Sequence, residues 1–144
     1  MLPNGITGFR NLKDPYIPEQ EKRIFQRFCY SIATRYHCEV LSFDLDLASK
    51  NFYSAEIKTE QGRFYLLENA YYPWIAFAKN LDFTKIEFVE IPFNLTDTSV
   101  NVLTLPELEQ SWHDIVDELN RAELEQIKYW KSNIIGDIIF NCWD

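Results

Sequence analysis

A chain of 144 residues with 47% apolar and 25% charged residues has globular proportions and can bury one substantial core, which excludes a disordered tract. Its formal net charge of -8 argues against nucleic acid and anionic membrane as partners and favours cationic ones. The charge is uneven: residues 1–72 carry nine Lys/Arg and nine Asp/Glu, whereas residues 73–144 carry five against thirteen.

In chain order, Pro3, Gly5, Gly8 and Pro15 mark an irregular arm. Pro18 opens a helix, with Glu19 and Glu21 near the positive end of its dipole. Ile24, Phe25, Phe28, Ile32 and Tyr36 recur at helical spacing, and Lys22, Arg23, Arg27 and Arg35 occupy the other face. From Glu39 the period changes to two. Leu41, Phe43, Leu45 and Leu47 alternate with Ser42, Asp44 and Asp46, the pattern of a half-buried strand.

Further strands are expected at Phe52–Thr59, Arg63–Leu67, Trp74–Ala78 and Lys85–Ile91, with Glu60-Gln61-Gly62 as a tight turn. Short connections make these an antiparallel meander. After a polar loop over Asn94–Asn101, Thr104 and Glu107 have capping-box spacing, with Pro106 in the first turn. Leu105, Leu108, Trp112, Ile115 and Leu119 then form one apolar stripe of a helix. Asn120 and Glu123 repeat the box and start another helix through Trp130, and Ile134, Ile135, Ile138, Ile139 and Trp143 suit a short last one, with a strand at Ile138-Ile139-Phe140 as the alternative. The expected fold is a single α+β domain over residues 1–144. It has an N-terminal helix, a five-stranded antiparallel meander, and two or three C-terminal helices packed on one face.

Aromatics make up 16% of the chain, most of them expected in the core. Trp74 is placed there, while Tyr71 and Tyr72 fit either core or a binding surface. Cys29, Cys38 and Cys142 are odd in number and unpaired in spacing, so no disulfide framework is expected. No basic-then-apolar leader opens the sequence, and no stretch reaches the roughly 18 apolar residues that span a bilayer. A cytoplasmic protein is the expectation.

The acids of the C-terminal half are the leading site. Glu107, Glu109, Asp114, Asp117, Glu118, Glu123 and Glu125 face one nearby cation, Arg121. On a continuous helix Glu107, Asp114 and Glu118 stack on one side, and Asp117 lies opposite the apolar stripe. A merely solvated face normally intersperses Lys and Arg at i,i+4, and this one does not. The expected partner-binding residues are Glu107, Asp114, Asp117, Glu118, Glu87 and Glu90, facing a basic protein.

The enzymatic alternative uses Asp44, Asp46, Glu56 and Lys58, whose pattern resembles the metal site of restriction-endonuclease-like nucleases. Against it, the chain lacks the basic surface that attracts a phosphate backbone. His37 and His113 have no partner at metal spacing, and no glycine-rich phosphate loop or paired cysteine motif occurs. No catalytic residue, cofactor or metal is therefore expected. A regulatory module binding a basic protein is a further alternative.

Residues 119–131 (LNRAELEQIKYWK) and 135–144 (IGDIIFNCWD) resemble the C-terminus of small uncharacterised bacterial proteins. Their short, acidic, motif-poor character is similar to immunity proteins of polymorphic and contact-dependent toxin systems. That resemblance implies a non-enzymatic inhibitor that occludes a cognate basic toxin, of the nuclease type. It carries no site residues across, since that class shares no site motif.

Overall fold

The computed structural model describes residues 2–82, 85–95, 99–114 and 118–143, with the side chain of Asp114 outside the description. The architecture is α+β. Helix α1, Lys22–Tyr36, leads into strands β1 (Glu39–Asp44), β2 (Phe52–Thr59), β3 (Gly62–Asn69), β4 (Trp74–Leu81) and β5 (Ile86–Val89). Consecutive strands pair antiparallel in the order β1-β2-β3-β4-β5. A two-residue strand, β6 (Asn101–Val102), runs parallel to the start of β4, Asn101 opposite Trp74 and Val102 opposite Ile75. It lies at the end of the stretch expected as loop. Two residues carry no readable period, and Pro73 O and Ile75 O hold it through Asn101 N and Leu103 N at 2.7 and 2.9 Å.

The meander separates two apolar clusters. On one face Phe25, Cys29 and Ile32 of α1 pack on Tyr53, Ala55, Ile57, Phe64, Leu66, Ile75 and Phe77. On the other, Phe52, Leu67, Ala76 and Ala78 meet Leu2 and Ile6 of the arm and the C-terminal residues Leu108, Ile127, Ile138 and Phe140. Alternation along the strands divides the side chains between the faces. Ile24, grouped by spacing with the apolar side of α1, is 53% exposed. It lies about 100° from Phe25, on the shoulder of the buried stripe.

Strand β1 departs from strict alternation. Val40 pairs with Ile57 and the next pair is Ser42 with Glu56, so Leu41 is an extra residue in a bulge. Val40 and Phe43 join the α1-side cluster, and Leu41 is left 38% exposed. The expected inward row of Leu41 with Phe43 is broken for that reason. The strand stops at Asp44, whose Oδ1 accepts from Asp46 N, while Asp46 Oδ1 accepts from Ala48 N. These turns carry Leu45 and Leu47 beyond the strand, still half-buried.

Helix α2, Leu105–Glu109, is capped by the expected Thr104–Glu107 box. It ends much sooner than the stripe suggested. Gln110 is extended (φ -65°, ψ 143°), its carbonyl accepts from Ile135 N at 2.9 Å, and Ser111 bridges Ile134. A strand-like contact thus outcompetes helix continuation, and among the described residues a 3-10 turn, Trp112–Asp114, follows. Helix α3, Arg121–Trp130, has the expected Asn120–Glu123 box, and α4 spans Ile135–Ile139.

Buried asparagines join the two ends of the chain to the sheet. Asn51 Nδ2 donates to Ile6 O and Ile139 O at 2.8 and 2.9 Å, and Asn69 Nδ2 donates to the same two carbonyls at 2.9 and 2.7 Å. Asn69 Oδ1 accepts from Tyr71 N and Tyr72 N. Asn141 donates to Thr7 O and Ile138 O, and its N–H donates to Asn51 Oδ1 at 2.7 Å. Nearby, Glu123 is fully buried and accepts from Gly5 N, Thr7 N and Thr7 Oγ1 at 2.7, 2.8 and 2.6 Å. Replacing Asn69 by Ala leaves four backbone groups without this partner. Asn69→Ala is expected to cost about 2–4 kcal/mol in chemical denaturation, against less than about 0.5 for exposed Asn133→Ala; equal effects would contradict the clamp.

Candidate functional site

The residues expected to meet a partner are distributed over several elements. Glu107, on α2, is exposed, and its Oε1 accepts from Thr104 N at 3.0 Å and Thr104 Oγ1 at 2.9 Å. Glu90 Oε1 accepts from Leu105 N at 3.0 Å, which brings the end of β5 to the start of α2. Glu87 Oε2 accepts from Asn80 Nδ2 at 2.6 Å. Glu118 is exposed. Asp117 and the side chain of Asp114 lie outside the described residues. Because α2 ends at Glu109, Glu107, Asp114 and Glu118 do not form the stacked row of one helix.

Glu123, counted by sequence in the acidic run, belongs to the interior instead. It is the clamp for the arm described above. Glu125 pairs with Arg121 at 3.4 Å, both side chains well exposed, so the pair is worth little. Among the described residues Glu87, Glu90, Glu107, Glu109 and Glu118 have no cation at ion-pair distance. A carboxylate holding one or two donors keeps other lone pairs free, so Glu87, Glu90 and Glu107 remain fixed negative charges with capacity to accept more.

The alternative constellation does not converge. Direct pairing of Asp44 with Ser54 and of Ser42 with Glu56 puts Asp44 and Glu56 on one sheet face, but each has its own cation. Asp44 lies 2.9 Å from Lys50 Nζ, and Glu56 lies 3.0 Å from Arg63 Nη1. Burial pushes the Asp44 carboxyl up, yet the bonds from Lys50 and Asp46 N, with the Lys50 charge, outweigh it and hold the group below the usual range. Asp46 is committed to a turn, and Lys58 is exposed opposite Glu39. No group of three metal-ligating side chains occurs among the described residues.

His113 Nδ1 and Ser111 Oγ are hydrogen-bonded at 2.8 Å, and the imidazole stacks on Trp112, whose Nε1 donates to Ser132 O at 2.6 Å. His37 ends α1 in the left-handed conformation. Cys29 is buried and its thiol is pushed up by desolvation, then by Glu68, which leaves it unreactive. Burial also raises Cys38 and Cys142. Tyr72 donates from Oη to Asn4 O, and Trp74 lies half-buried at the edge of the core.

Sequence reasoning missed Glu68. It shares strand parity with Phe64, Leu66 and Ala70, a signal that places it on the α1 side, and it is 3% exposed opposite Tyr53. Desolvation pushes its carboxyl up to about 7. At that depth its effect falls on stability.

The groove beside the acids is bordered by Leu2, Trp74, Leu103, Glu107, Leu108 and Gln110 and holds about 420 Å³. It combines apolar walls with the exposed Glu107 carboxylate. No family model, curated protein or solved structure matches the chain. No helix among the described residues is long and apolar enough to cross a membrane.

The sign of the Glu68 effect follows from its raised folded-state value. The native state holds the proton more tightly than the unfolded chain, so stability falls as pH rises from the ordinary carboxyl value towards 7, and the penalty is constant above that. Glu68→Gln is expected to match the parent near pH 4 and to exceed it by on the order of 2–3 kcal/mol near pH 8 in denaturant titrations. A pH-independent difference would contradict the assignment.

Proposed function

We propose that this protein is a non-enzymatic immunity-type inhibitor, acting in the cytoplasm, that binds and occludes a cationic toxin of the nuclease class through its acidic C-terminal surface. The observation that carries the reading is the pairing of Glu107 with the apolar groove floored by Leu108 and walled by Trp74. A lysine or arginine has the matching anatomy, with an aliphatic stem for the groove and a charged head for the carboxylate. Glu107 is held in place by the capping box, so little side-chain freedom is lost when a cation docks. Exposed Glu109 and Glu118 add negative field with no cation at ion-pair distance among the described residues, which favours rapid encounter with a basic surface. The toxin's catalytic cleft, basic to receive phosphate, is the surface such a field seeks.

The roles divide between charge and groove. Glu107→Gln/Glu109→Gln/Glu118→Gln keeps a cap acceptor at residue 107 and removes three charges. With a cationic nuclease-toxin domain that the parent protein binds, association measured by surface plasmon resonance is expected to slow about tenfold and to lose salt dependence. Trp74→Ala is expected to raise the dissociation rate about tenfold with association little changed. Unaltered rates in the triple variant, with full protection of toxin-expressing cells, would overturn the acidic-surface reading.

A further inference from the structure

The positive charge of the chain has its own location. Helix α1 carries Lys22, Arg23, Arg27 and Arg35 and contains no Asp or Glu. All four cations are exposed. Lys22 and Arg23 occupy the first turn, where the dipole opposes positive charge, and Glu21 at the N-cap supplies no side-chain cap. Arg23 and Arg27 are like charges at i,i+4, a further small cost. Among the described residues none of the four forms an ion pair, although the chain has 22 Asp/Glu to 14 Lys/Arg.

The same face holds apolar surface. At 100° per residue, Arg23, Arg27, Tyr30 and Thr34 fall within a sector of roughly 60°, opposite the buried Phe25 and Ile32. Tyr30 is 55% exposed, its ring set edge-on against Phe43 at 5.5 Å, and Ile24 on the next flank is 53% exposed. A fixed aromatic beside arginines is the composition of a protein-binding surface.

We propose that the outward face of α1 is a docking surface for an acidic segment of a partner protein, with Arg23 and Arg27 receiving its carboxylates and Ile24 and Tyr30 its apolar side chains. The site is independent of the acidic surface and of what that surface binds. Charge complementarity selects the class of partner. Beyond α1 the chain is even more negative than its net -8, so an extended polyanion such as duplex DNA or an anionic bilayer meets repulsion along most of its length. A short acidic segment senses only charges within a Debye length of about 8–10 Å, where Arg23 and Arg27, about 6 Å apart along the axis, present positive charge.

The test uses the full chain, isotopically labelled, titrated with a synthetic peptide repeating Glu-Glu-Leu and followed by amide NMR shifts. Shifts confined to Lys22–Arg35 and neighbouring β1, lost at about 0.5 M salt, are expected. Arg23→Glu/Arg27→Glu is expected to weaken binding at least about tenfold while thermal unfolding stays equal or rises, since the dipole cost in the first turn is relieved and the like-charge pair at i,i+4 is exchanged for another. Ile24→Ser/Tyr30→Ser is expected to weaken binding and leave its salt dependence intact. Any of three results overturns the proposal: shifts that avoid α1, unchanged affinity in the arginine variant, or tighter binding of duplex DNA or phosphatidylserine vesicles than of the acidic peptide.

Discussion

Carbonyl groups at Ile6 and Ile139 each accept from two buried asparagine side chains, and the closure of the molecule depends on that interaction. The arm has no regular structure of its own, so its buried backbone groups need partners from elsewhere. Amide side chains suit the purpose because each both donates and accepts. Asn69 ends β3 opposite Phe52, Asn51 immediately precedes β2 and accepts from Ala70 N through its carbonyl, and Asn141 completes the set from the C-terminal segment. Glu123 does the same for Gly5 and Thr7 with charge-assisted bonds. Leu2 and Ile6 are thereby held in the core that the C-terminal helices share.

That clamp determines which carboxylates remain available. Glu123 is withdrawn into the interior, and Asp44 and Glu56 are engaged by Lys50 and Arg63. Glu107 and Glu90 are oriented by α2's first turn yet stay exposed. Local capping therefore sets the geometry of the acidic surface rather than opposing its use. The cations of α1 lie over the other face of the sheet from the C-terminal helices, so the two charge types are separated by the hydrophobic layers.

Much of the fold is legible in the residues themselves. The helical spacing of Phe25, Phe28, Ile32 and Tyr36, the two-residue turn before Gly62, and both capping boxes are local signals, and local signals survive folding. What escapes is decided at a distance. The bulge at Leu41 depends on pairing with β2, the end of α2 on a contact with Ile134, and β6 on a carbonyl of Pro73. At the site, Glu123's capping role is readable from Asn120 three residues earlier, but its burial depends on an arm more than a hundred positions away. Asn51, Asn69 and Asn141 look like ordinary turn residues until the two ends meet. Glu68 is the exception, since strand parity alone marks it as an inward carboxyl.

The long reach of the asparagine clamp bears on how the chain is made. Thr7 O waits for Asn141, 134 positions later, and Asn69 waits 70 positions for Ile139. On the ribosome the meander is complete before either C-terminal partner has been synthesised. Until then the arm has only its partners on the sheet side, Asn51 and Asn69 for Ile6 O and Tyr72 for Asn4 O, while Gly5 and Thr7 await Glu123 and Asn141. Closure of the arm against Ile139 and Asn141 follows the synthesis of those residues, after all strands of the meander have been made.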